Sequence, residues 1–279
     1  MTVTQAVERL VRATVHLSDA DLDRPYAWQD YDEEGLRFSL LTAHHILRDA
    51  AASVAAARLR AGRPFTEAHR ILAQVHEAYR DLTGALAGTS EAEIDAAPPD
   101  KQWPIREVLT HMLETEVSFL AAIEVALFAN RAGRPSEESE AAFQAKRRPP
   151  EDPAGSRADA LDALFRSHAA ILQALRSVTD PELDLSSFFW ENRPYPVRFR
   201  MHRFEEHVRQ HTIQVDKTLA AIGHPPTEAE RLVRNLYTAL AGVESVAGDL
   251  PAGGDTGDML DRCAASIDAL ALQVAEIVR

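Results

Sequence analysis

Cysteine occurs once, at Cys263, so no intrachain disulfide can form and nothing indicates an oxidising compartment. Glycine is also scarce, at 12 of 279 residues. No glycine-rich phosphate loop and no GxSxG elbow is present, so nucleotide-dependent and serine-hydrolase chemistry have little support. No apolar run approaches the ~18 residues needed to span a bilayer. The opening stretch MTVTQAVERLVRATVHL carries Glu8, Arg9 and Arg12 and lacks the uncharged core of a signal peptide. Lysine is nearly missing, with only Lys101, Lys146 and Lys217, and that bias carries no function. Basic residues number 30 against 43 acidic ones, a net charge of −13. Nucleic-acid binding needs a basic face, so a nucleic-acid partner is not expected. These absences together lead us to expect a soluble, cytoplasmic protein without a membrane partner.

What is abundant is alanine and leucine at helical spacing. Apolar residues three and four apart predict helices over Val3–His16, Glu34–Ala61, Thr66–Leu86, Pro104–Arg131, Arg157–Val178, Val197–Ile222, Glu228–Ala247 and Met259–Val278. AGRP follows the second and fourth of these as a stop signal. Pro104 suits the first turn of a helix, where its missing N–H costs nothing. Thr227 and Glu230 form a capping box opening the seventh helix. Residues 134–154, with RRPPEDPAG, read as a long connection, and PAGGDTGD at 251–258 as a flexible loop. No segment reads as a strand, so the class is all-α, built from helix bundles. A partial repeat is visible: SDADLD (18–23) parallels SEAEID (90–95), each followed by a tryptophan, Trp28 or Trp103, and then by LLTAHH or VLTHML.

Within the sixth helix lies HVRQH. His207 and His211 are four apart, so they share a face, beside or within the stripe of Phe204, Val208, Val215, Leu219 and Ile222. Imidazoles aimed at a core need hydrogen bonds or a metal, because unpaired buried polar groups are costly. Two ligands fill only half of a four-coordinate site. The third candidate is His111, on a helix face with Thr115 and Ser118 beside an apolar stripe of Val108, Met112 and Phe119. The residues alone leave two readings open, a metal site or ordinary helix histidines. Glu114, Glu116 and Glu206 sit near these histidines and read as solvated helix-face charges rather than orienting groups. His69, His76 and His168 read as packing residues, Cys263 as an inert buried thiol and Trp103 as a core anchor.

The string QWPIREVLTHMLETEVSFLAAIE resembles the second helix of the DinB-like superfamily, and HRFEEHVRQHTIQVDKTLAAIG its fourth. The resemblance covers about residues 66–223. It implies an up-and-down four-helix bundle with a long connection between its second and third helices. It also implies a metal triad carried onto His111, His207 and His211. Residues 1–65 and 224–279 would add N- and C-terminal helix pairs, which either pack together as a second bundle, cap the main one or form a dimer face.

Members of the superfamily include metal-dependent thiol transferases and isomerases, so membership does not fix a reaction. The expected function is a divalent-metal-dependent enzyme, of thiol transferase, isomerase or hydrolase type. It would act on a small molecule with zinc or nickel and a low-molecular-weight thiol cosubstrate, and the resemblance implies a homodimer. The alternative is a non-catalytic helical binding or stress-response module whose metal is structural or absent.

Overall fold

Serine and threonine caps decide where many of the helices begin. In the computed structural model, which describes residues 1–99, 102–133, 140–187, 193–248, 250 and 253–279, helix α1 spans Val3–Thr14 and is opened by a Thr2/Gln5 capping box. The one-turn helix α2 (Asp19–Leu22) is capped by Ser18, whose N–H donates to Asp21 Oδ2 at 3.1 Å. Strands β1 (Pro25–Trp28) and β2 (Tyr31–Gly35) then pair antiparallel before α3 (Arg37–Arg60). Helix α4 (Glu67–Leu86) is followed by the single turn α5 (Glu91–Ile94) and by α6 (Ile105–Arg131), with Pro104 at the N-cap. The short α7 (Glu140–Lys146) precedes α8 (Arg157–Leu175), which Ser156 and Asp159 cap reciprocally. A 3₁₀ turn at Asp180–Asp184 leads to β3 (Ser186–Ser187), which pairs antiparallel with β4 (Tyr195–Pro196). Helices α9 (Val197–Ala221), α10 (Glu228–Ala247) and α11 (Gly254–Ile277) complete the chain.

The class is all-α, with several local departures from the sequence expectation. Among the described residues two short antiparallel strand pairs form where no strand was foreseen, and β2 takes the start of the helix expected from Glu34. The connection at 134–154 contains α7, although residues 134–139 lie outside the described part. Helix α11 begins at Gly254, so GDTGD is its first turn rather than a loop; Pro251 and Ala252 lie outside the described part. Periodicity missed the strands and α7 because segments of two to seven residues are too short to show a repeat.

The chain divides into two units. One comprises Met1–Phe65, Arg80–Thr89 and Pro225–Arg279. Its core joins Leu10 of α1, Leu40 and Leu47 of α3, Leu236 and Leu240 of α10, and Ile267 and Val274 of α11. The terminal helix pairs, whose partners the sequence leaves open, therefore pack on each other. Arg80 adds a paired contact to Glu244, with Nη2 2.5 Å from Oε1.

The other unit comprises Thr66–Tyr79 and Ser90–His224. Its core gathers Ile71 and Val75 of α4, Phe119 and Ile123 of α6, Ile171 and Leu175 of α8, and Met201 and Phe204 of α9. This is the four-helix bundle that carries the three histidines. Asp180 closes one end of it by accepting from the Glu67 and Ala68 N–H groups at the start of α4. Burying these side chains stabilises the bundle by roughly 1.5–3 kcal/mol each.

Candidate metal centre

The helix α9 buries Val197, Met201, Phe204, His207, Val208, His211, Thr212, Val215 and Leu219, a stripe at three- and four-residue spacing. His207 and His211 are members of that stripe, each 4 % exposed. Helix α6 answers with Val108, Leu109, Met112, Leu113, Glu116, Phe119 and Leu120. Its entry is held by Arg106, whose Nε donates to Asp95 Oδ1 at 2.6 Å and whose Nη2 donates to Oδ2 at 2.9 Å. His111 lies at the edge of this buried face and keeps partial exposure.

The pairing of α6 with α9 brings the three rings together. His207 Nε2 is 3.4 Å from His111 Nε2 and 3.1 Å from His211 Nε2. A tetrahedral site with metal–nitrogen bonds near 2.0–2.1 Å has an edge of about 3.3 Å, so the separations match a ligand set. The rings splay rather than stack, with interplanar angles of 54°, 66° and 79° between the pairs. Among the described residues the cluster consists of these three histidines, without a carboxylate or thiol.

Surroundings keep the imidazoles neutral. Burial, then the nearby Arg203 charge, pulls His207 down to about 4. Burial also draws His211 down to about 4, against the opposing hydrogen bond to Gln214. His111 is lowered too, by burial and by His207. Neutral imidazole is the form that offers a lone pair to a cation. His211 Nδ1 lies 2.9 Å from Gln214 Oε1 and, as the only possible donor of that pair, fixes the lone pair on Nε2. Phe119 meets His207 edge-on at 5.5 Å and Phe204 at 5.6 Å, which makes the floor apolar.

Two residues differ from the sequence expectation. Trp103 is no core anchor: it is 41 % exposed and leans on His111 with ring centroids 5.3 Å apart. Its carbonyl accepts from Thr218 Oγ1 at 3.3 Å, which ties the entry of α6 to α9. Glu116 is not a solvated charge either. It is 4 % exposed, and burial pushes its carboxyl up to about 8. Its spacing, four after Met112 and three before Phe119, was the available signal. Glu206, by contrast, is exposed and paired with Arg203 at 2.7 Å.

The remaining candidates fall elsewhere. His69 Nδ1 lies 2.9 Å from Thr66 Oγ1, a helix-entry contact. His76 Nδ1 lies 2.9 Å from His168 Nε2, and Tyr79 stacks on His168 at 3.9 Å, so both histidines are buried packing residues in the bundle. Cys263 is buried in the other unit, and burial raises its thiol to about 11, far from a thiolate nucleophile. It borders a cleft of about 370 Å³ between α3 and α11 with His45, Asp49 and Arg262.

Comparison with curated proteins and with solved structures gave no significant match. The family model described as the DinB superfamily matches residues 74–215, just over half of the chain, from within α4 to within α9. That span contains His111, His207 and His211 and the bundle helices that present them, and on this match the chain belongs to the DinB superfamily.

Proposed function

We propose that this protein is a divalent-metal-dependent enzyme acting on a small molecule, with His111, His207 and His211 as the ligands. The observation that carries the reading is the convergence of three imidazoles on an apolar floor, with His207 Nε2 at 3.1 and 3.4 Å from the other two and the ligand atoms all within 4.8 Å of one another. Three imidazoles suit zinc, nickel, copper or iron, of which zinc and nickel are the ions we propose. Such an ion would supply Lewis acidity, lowering the pKa of a water or thiol at its open position toward neutrality. The chain's own residues do the rest. Gln214 fixes the His211 tautomer, Phe119 and Phe204 keep the floor dry, and Trp103 offers an aromatic wall at the exposed edge beside His111.

The open edge favours an enzyme over a structural site. Structural zinc sites are closed by four protein ligands, whereas catalytic ones keep three and leave a position free. A low-molecular-weight thiol or water as the activated group gives transferase, isomerase or hydrolase chemistry. Charge complementarity favours a small molecule over nucleic acid as the partner, given the net charge of −13. Among the described residues, no helix is long and apolar enough to cross a membrane.

Elemental mass spectrometry on untagged protein tests the site, alongside His207→Ala and His211→Ala. Near one zinc or nickel per chain is expected, lost in both variants while circular dichroism shows the helices retained. Wild-type protein that takes up neither ion overturns the reading and leaves a non-catalytic helical module. Loaded protein then goes into thiol-transfer and hydrolysis screens. An ion that neither exchangeable water nor added thiol can reach would mark the site as structural.

A further inference from the structure

Two polar atoms in the bundle core have no hydrogen-bond partner: His207 Nδ1 and Glu116 Oε1. They face each other at 3.8 Å, with both side chains about 5 % exposed. That distance is too long for a hydrogen bond, yet each atom is the polar group the structure places beside the other. A buried carboxyl without a partner is costly, and replacing such groups by apolar ones is often neutral or stabilising. Glu116 is therefore not explained by the stability of the bundle.

The tautomers supply the explanation. His207 Nε2 lies 3.1 Å from His211 Nε2, and the Gln214 contact leaves the latter as a lone pair. Without a cation, the contact between the two Nε2 atoms is satisfied when His207 carries its proton on Nε2, which leaves Nδ1 without a proton and 3.8 Å from Glu116 Oε1. When all three Nε2 atoms serve a cation, His207 must carry its proton on Nδ1 instead. Nδ1–H then needs an acceptor, and Glu116 Oε1 stands in line. A closure of about 1 Å brings the pair to hydrogen-bond distance, where a carboxyl oxygen accepts whether or not the group is ionised.

We infer that Glu116 is the positioning residue of His207, the group on α6 that accepts from its Nδ1–H when His207 binds a cation. The inference rests on the three histidines holding a divalent ion. Glu116 is not itself a ligand, because it approaches the ring nitrogen opposite the one in the cluster. The residue links the two helices of the site: the carboxyl on α6 orients an imidazole on α9 whose other nitrogen meets His111 of α6. Outer partners of this kind raise ligand basicity, and their loss costs roughly 10–100-fold in metal affinity.

The test compares wild type, Glu116→Leu and Glu116→Gln for zinc affinity by competition with a chelator, and for urea stability in the zinc-free state. Leucine fills the volume without an acceptor, and glutamine retains a neutral one. Expected is a loss of affinity of roughly 10–100-fold for leucine and a smaller loss for glutamine, with the zinc-free leucine variant at least as stable as wild type. A merely structural glutamate would give the opposite pattern, lower stability at unchanged affinity. In the zinc-loaded wild type, nitrogen-edited NMR should show a slowly exchanging His207 Nδ1–H, which shifts in Glu116→Leu while the His211 Nδ1–H on Gln214 stays put. Zinc binding by wild type with unchanged affinity in both variants overturns the role of Glu116 alone. No zinc uptake by wild type overturns the metal reading and this inference with it.

Discussion

Alanine at Gly84 and alanine at Gly242 should change stability in opposite directions. Both glycines are helical residues of the unit formed by the terminal helices, Gly84 in the last turn of α4 and Gly242 in α10. Relieving glycine's backbone freedom in a helix gains up to about 1 kcal/mol. At Gly242 the new Cβ would meet Ala51 Cβ at 3.7 Å, an ordinary contact, so this gain is kept. At Gly84 it would stand 2.8 Å from Arg234 Cα and 3.2 Å from Arg234 Cγ. Carbon atoms prefer about 3.5–4.0 Å, so α10 must retreat by roughly 0.7 Å or more at that crossing. The retreat also pulls on Arg234, whose Nη2 donates to Asp81 Oδ2 at 2.9 Å. Overpacking of this size costs about 1–3 kcal/mol, which outweighs the propensity gain. Net, Gly84→Ala should lose about 1–2 kcal/mol and Gly242→Ala should gain about 0.5–1 kcal/mol. Urea unfolding followed by circular dichroism, with the slope checked for constancy, reads both. A Gly84→Ala protein as stable as wild type would refute the reasoning, since it would show that α4 and α10 are not in backbone contact there.

Metal retention should persist into acid. Burial holds His207 and His211 neutral down to about 4, so zinc release on a pH titration should fall well below the ordinary imidazole value of 6.5. The same lowering makes the zinc-free protein lose stability as pH falls from 6.5 toward 4, where only the unfolded chain takes up these protons; His207→Ala should flatten that limb. A second acid limb belongs to Glu182, which Arg131 holds at about 2 through bonds of 2.7 and 3.0 Å. Its contribution is present above 4.5 and lost as pH falls toward 2, so Glu182→Gln should destabilise at neutral pH and not at pH 2. Trp103 should report on the site directly: nickel binding should quench its fluorescence, and Trp103→Phe should remove that quench without removing nickel binding. Unchanged quenching in Trp103→Phe would place the reporter elsewhere.

Much of this architecture was legible locally. Capping residues such as Thr227 and Glu230 place a helix start through bonds within four residues, and the long helices announce themselves by apolar spacing. The four-residue spacing of His207 and His211 likewise put both rings on one face before any partner was known. The short pairings escaped, because Ser186 with Pro196 and Pro25 with Gly35 carry no pattern of their own.

What the sequence by itself determined, then, was whatever is decided within a turn or two of helix: class, helix starts, and which side chains share a stripe. Tertiary structure alone decided which stripes meet. It set His111 against His207 across α6 and α9, packed the two chain ends on one core, left Trp103 at a rim and buried Glu116 opposite an imidazole. The reason is physical: periodicity names the face a residue lies on, but burial and unpaired polar atoms come into being only when another helix covers that face.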